Sequence, residues 1–263
     1  MADSREITVK FPNLFVGFLA PEPTLNANYP AVREASEDSI LRSCNLTARQ
    51  TQAIIECNFP YFAAVMAFVT AISSMVDFCD GTMAQVQQVQ TAHGTSFECI
   101  LGQRRQSVCV APLFALVELG HHIRLPDSAF NDHRLQSVQR LGIDITLLHN
   151  DLLSYRKEEK EGVPHNVVTA CRRQGMSAQA AMDFVGSKVS DRIAEFECIA
   201  DELERSGSEW SDELMRYIQG IRDVIKANLH WSFHSERFLS SEEKSTLLAE
   251  GTLQVSSECV ALQ

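Results

Sequence analysis

From Leu135 to Glu158 the chain runs for about 24 residues with no proline and one glycine, Gly142. Val138, Leu141, Ile145, Leu148, Leu152 and Tyr155 recur there at steps of three and four, so they share one face of an α-helix. Ile143 and Leu147 lie on another. The first half is therefore apolar almost all round, the mark of a helix buried in the middle of a bundle. The second face continues through Asn150, Ser154 and Glu158. It stays inward, but its side chains change from apolar to oxygen-bearing.

Helical period dominates the remainder. Pro30 opens a segment running to Cys44, Thr47 can cap the next one, and Pro60 opens the apolar run Tyr61 to Val76. Pro112 opens a helix that Pro126 ends, with His121 and His122 near its close in a capping or packing role. Ser177 can cap a long helix, and Ser211 or Asp212 a last one reaching about Phe238. Ile7 to Val9 and Leu14 to Val16 are too short to build a sheet. The predicted class is all-α, a single helical bundle over residues 1–250 with a loose tail at 251–263. Between Met83 and Gln103 the text turns polar and loses its apolar stripe, which reads as a linker or a shortened part of the domain.

Composition narrows the function. With 34 Asp plus Glu against 23 Lys plus Arg the net charge is −11. That disfavours nucleic acid and anionic membranes as partners. The longest apolar run holds sixteen residues, short of the roughly 20 needed to span a bilayer. The polar start MADSREITVK has no apolar h-region. The eight cysteines contain no C-x-x-C and read as core packing. The expectation is a soluble, reduced, cytoplasmic protein with a core that needs no staples.

Asn150, Ser154 and Glu158 are four residues apart, a drift of about 40° and a rise of about 6 Å per step. An amide oxygen, a hydroxyl and a carboxylate then project in a column. Hard oxygen donors suit Mg²⁺, which prefers octahedral oxygen and keeps several waters. One negative charge among three donors holds free Mg²⁺ poorly and suits Mg²⁺ arriving with a diphosphate. Lys157 adds a cation beside the carboxylate. Spacing alone leaves a solvated surface helix open.

The string Asn150-Asp151-Leu152-Leu153-Ser154-Tyr155-Arg156-Lys157-Glu158 matches N-D-x-x-S-x-x-K-E. It resembles the second metal motif of class I terpene synthases, the fungal sesquiterpene cyclases above all. Asn228-Leu229-His230-Trp231-Ser232 with Ser235, Arg237 and Phe238 resembles the family's C-terminal N-x-x-W-S-x-x-S-x-R-Y, with Phe238 where a Tyr hydroxyl is expected. Arg104-Arg105-Gln106-Ser107 resembles the region of an upstream diphosphate-sensing Arg, with Arg105 preferred and Arg104 second. Gly162 to Val168 and Asn28 to Glu37 also resemble family segments.

The resemblance covers most of residues 25–240 and implies the family's bundle. It implies Mg²⁺ on Asn150, Ser154 and Glu158, and a diphosphate contacted by Arg105, Lys157, Arg237 and Phe238. The implied reaction is ionisation and cyclisation of farnesyl diphosphate to a sesquiterpene. Two departures stand out. A glycine that the family often has at a helix break near Cys109 is absent. The family's Asp-rich motif, D-D-x-x-D, is also absent; its nearest candidates are Asp77 and Asp80 beside Gly81, equally readable as turn residues. They stand only 73 residues before Asn150, so several dozen residues around 67–100 read as missing. A catalytically impaired or inactive shortened member, or a related prenyl diphosphate-binding helical protein, is the alternative.

Overall fold

The structure, a computed structural model, describes residues 6–23, 96–163, 165–207 and 211–257. The expected helices at 31–44, 47–57 and 61–76, with Asp77 and Asp80, lie outside these residues. Among the described residues the order is β1 (Glu6–Lys10), a 3-10 turn (Gly17–Leu19), α1 (Phe97–Ser107), α2 (Ala111–Gly120), α3 (Asp127–Phe130) and α4 (His133–Lys160). Then come α5 (Val167–Arg173), α6 (Ala178–Arg205), α7 (Ser211–His234), α8 (Ser241–Glu250) and β2 (Thr252–Ser256). No described helix is long and apolar enough to cross a membrane.

α4 is the central helix, as its all-round apolarity predicts. Val138, Leu141, Ile145, Leu148, Leu152 and Tyr155 are all essentially inaccessible to solvent. Asp132 caps its start by accepting from the Arg134 N–H at 2.8 Å. Its end comes two residues beyond Glu158, where Gly162 adopts a left-handed φ of 70° and the Val163 N–H returns to the Glu158 carbonyl at 2.8 Å. Its lone glycine has a packing reason: a Cβ at Gly142 would lie 2.8 Å from an Ile221 methyl and 3.0 Å from the Phe114 ring. Both α2 and α7 approach α4 there.

The cap at Ser177 forms as expected, its hydroxyl accepting from the Ala180 N–H. α7 stops at His234 rather than near Phe238. The chain turns through 235–239 because Lys244 takes the Ser235 carbonyl at 3.1 Å and Ser240 opens α8 with a capping box to Glu243. The break between α1 and α2 is real, and Cys109 stands there with φ of 60°, a left-handed conformation that costs a non-glycine residue energy.

Residues 252–256 are not a loose tail. They form β2, which pairs antiparallel with β1 in the register Ile7↔Val255 and Val9↔Leu253. Alternation places Leu253, Val255 and Val9 inward. The two strands lie near opposite ends of the described chain, so neither five-residue run announces its partner locally. Arg172 of α5 anchors the end of the ribbon, donating to the Ser256 and Ser257 carbonyls at 3.1 and 2.9 Å.

His122 ends α2 as the left-handed residue, with φ of 52°, while the Ile123 N–H closes onto the Glu118 carbonyl at 2.8 Å. That is the position where glycine carries no Cβ penalty. Because the His122 side chain is exposed, His122→Gly is expected to stabilise the fold by about 1 kcal/mol, measured as a shift in the urea midpoint at constant slope.

Candidate active site

The column on α4 is where its face predicts. Ser154 is fully buried, and Asn150 and Glu158 are half-buried. Ser154 and Glu158 converge on one partner, Asn166, the N-cap residue of α5. Its amide donates to the Glu158 carboxylate at 2.9 Å and more weakly to the Ser154 hydroxyl at 3.4 Å. The Asn150 side chain makes no hydrogen bond to a described residue.

Burial, then the nearby charge of Asp151, raise the Glu158 carboxyl above its ordinary pKa. The hydrogen bonds from Asn166 and Ser154 and the charge of Arg104 offset this only in part. An amide with no hydrogen bond to a described residue, a buried hydroxyl and a half-buried carboxylate on one face fit a hard divalent cation. Among the described residues no group of three His, Cys, Asp or Glu could hold a metal; the column is a mixed set of amide, hydroxyl and carboxylate.

The two arginines separate clearly. Arg105 donates to Asp144 through Nε at 2.5 Å and Nη2 at 2.9 Å, and Arg192 takes the same carboxylate at 3.2 Å. Arg104 pairs instead with buried Asp151, whose other oxygen accepts from the Val167 N–H at 2.8 Å. Its charge reaches Glu158 and also helps burial hold His165 below its ordinary pKa, together with Arg173. The cation beside the column is thus Arg104, the second choice from the sequence. Adjacent helix positions differ by about 100°, and the polar text around 104 and 105 does not say which one reaches Asp151, beside the column, and which reaches Asp144.

Lys157 is exposed on the outer side of α4. Arg237 is exposed too, and its guanidinium lies over the rings of Trp231 at 5.8 Å and Phe238 at 5.2 Å. Among the described residues Arg237 has no acidic partner. Trp231 and Phe238 meet edge to face. Nothing among these contacts joins Arg237 or Phe238 to Asn150. Asn166 was missed as a site residue, although an Asn just before Val167-Val168 is a helix-start signal.

Residues 47–195 match the model of terpene synthase family 2, C-terminal metal binding, and the chain belongs to that family. It is 32% identical to silphinene synthase of Penicillium patulum over 169 residues, which are 64% of this chain and 45% of that enzyme. The chain thus matches less than half the length of that relative. It is 28% identical to cycloaraneosene synthase of Sordaria araneosa over 317 positions, 88% of this chain and 86% of that enzyme. That span exceeds the 263 residues present here, so positions of that enzyme have no counterpart in this shortened chain. Among solved structures, linalool/nerolidol synthase from Streptomyces clavuligerus in complex with 2-fluorogeranyl diphosphate shares the fold. Its TM-score is 0.56 at 21% identity, over 77% of this chain and 72% of that one.

Proposed function

We propose that this chain is a Mg²⁺-dependent terpene cyclase that ionises farnesyl diphosphate and closes the resulting cation, which then loses a proton to the released diphosphate to give a sesquiterpene. The observation that carries the reading is the column of Asn150, Ser154 and Glu158, with Ser154 and Glu158 held on Asn166 and Arg104 alongside. Asn150 Oδ1, Ser154 Oγ and the Glu158 carboxylate would hold the ion. Bound Mg²⁺ supplies electrophilic stabilisation of the leaving diphosphate. The allylic C–O bond breaks and its electron pair leaves with the diphosphate. Arg104 adds donors to the developing anion.

The test is incubation of the purified chain with farnesyl diphosphate and Mg²⁺, followed by headspace analysis. Hydrocarbons that vanish with chelator support the reading. The rival, a catalytically impaired shortened member, is favoured by the absence of a D-D-x-x-D motif from the sequence, and it predicts substrate binding without volatile product.

Within this reading Arg104 replaces Arg105 as the diphosphate contact. Arg104→Ala is expected to weaken inorganic diphosphate binding about 10- to 100-fold, since a hydrogen bond to a charged group contributes about 1.5–3 kcal/mol. Arg105→Ala, which leaves Asp144 still paired with Arg192, is expected to change it far less. Calorimetry on both variants decides between them.

A further inference from the structure

We infer that Asn166 is the positioning residue of the candidate metal site: its side-chain amide fixes the Ser154 and Glu158 donors while its carbonyl oxygen caps the next helix. The inference rests on the metal reading above. Asn166 is fully buried, and each end of its side chain has a defined task. Oδ1 accepts from the Val168 N–H at 2.8 Å and the Thr169 N–H at 3.4 Å. Those partners are donors only, so the amide cannot be flipped without losing the cap. Nδ2 is thereby forced toward α4, where it meets three acceptors: the Asp151 carbonyl at 2.7 Å, Glu158 Oε2 at 2.9 Å and Ser154 Oγ at 3.4 Å.

This has a direct effect on the donor column. A glutamate four residues from a serine on a helix has three free torsions, and a half-buried one has room to swing. The Asn166 amide takes up one carboxylate oxygen, Oε2. The carboxylate plane is thereby held close to Ser154. Such outer hydrogen bonds set ligand orientation, and losing one typically costs 10- to 100-fold in metal affinity or activity. The cap gives the device its precision. The orientation of Asn166 is set by the start of α5, which Asp151 also grips through the Val167 N–H. The geometry of the column is therefore coupled to the junction between α4 and α5.

The two tasks of Asn166 separate by substitution. Asn166→Ser keeps a good N-cap but is too short to donate to Glu158; Asn166→Thr does the same with more of the volume filled. The probe is Mn²⁺ in the presence of inorganic diphosphate, followed by electron paramagnetic resonance on the full chain, with thermal melting as the check on folding. Expected is a 10- to 100-fold weaker Mn²⁺ affinity for whichever cap-retaining variant melts cooperatively. Unchanged Mn²⁺ affinity in a folded Asn166→Ser or Asn166→Thr protein overturns the inference. Glu158→Ala is the control for the underlying reading. If it binds Mn²⁺ as the parent does, the column is not a metal site and the role of Asn166 falls with it. If Glu158→Ala loses the ion and the Asn166 variants do not, only the positioning role fails.

Discussion

Glu158→Gln is expected to lower Mg²⁺-dependent diphosphate release from farnesyl diphosphate by about 10²- to 10³-fold, the scale seen when one group stabilising transition-state charge is removed. The amide keeps the size of Glu158 and can still meet Asn166, but it carries no charge to offer a cation. The fold is expected to survive. Burial and Asp151 already raise the Glu158 carboxyl, so a neutral side chain relieves a cost in the metal-free protein. Loss of turnover with an equal or higher melting temperature is the expected pair of results. Turnover within threefold of the parent would remove Glu158 from the chemistry.

Arg172→Met is expected to cost about 3–5 kcal/mol of folding free energy, the usual loss when one partner of a buried ion pair is removed. Arg172 and Glu159 are both almost fully buried and pair at 2.6 Å, with the Tyr155 hydroxyl bonded to both. The same guanidinium holds the C-terminal end of β2, so the substitution also releases that end of the ribbon. The pH dependence follows from Glu159. Burial, its largest influence, raises its pKa in the folded chain, against the lowering effects of Tyr155 and Arg172. Without Arg172 it rises further. A carboxyl with a raised folded pKa binds more protons folded than unfolded, so stability falls as pH rises through that window. The deficit of the variant against the parent should therefore shrink as pH drops from 7 toward the ordinary glutamate range. Urea denaturation at several pH values reads this directly. A deficit independent of pH would mean that Glu159 is not the group left uncompensated.

The helices were legible wherever the sequence carried both period and punctuation. α4 follows from its apolar steps and its lack of proline, and the Ser177 cap from one residue ahead of an amphipathic run. The β ribbon was not legible. Glu6 and Ser256 are joined only by non-local pairing, and a five-residue run with one buried side chain carries little alternation. The polar column of Asn150, Ser154 and Glu158 was legible because the three residues sit on one helix, where spacing fixes direction. Arg104 and Asn166 were harder, since each is defined by what it meets across an interface. Arg104 differs from Arg105 only by which carboxylate of α4 it reaches, Asp151 or Asp144. Asn166 is an N-cap whose other end happens to face the column.

The most direct test is a crystal structure of the full chain grown with Mn²⁺ and inorganic diphosphate, with anomalous scattering used to locate the ion. The account predicts a manganese peak within coordination distance of Asn150 Oδ1, Ser154 Oγ and the Glu158 carboxylate, with diphosphate between it and Arg104. A peak elsewhere, or an ordered diphosphate bound with no ion on that column, would contradict it.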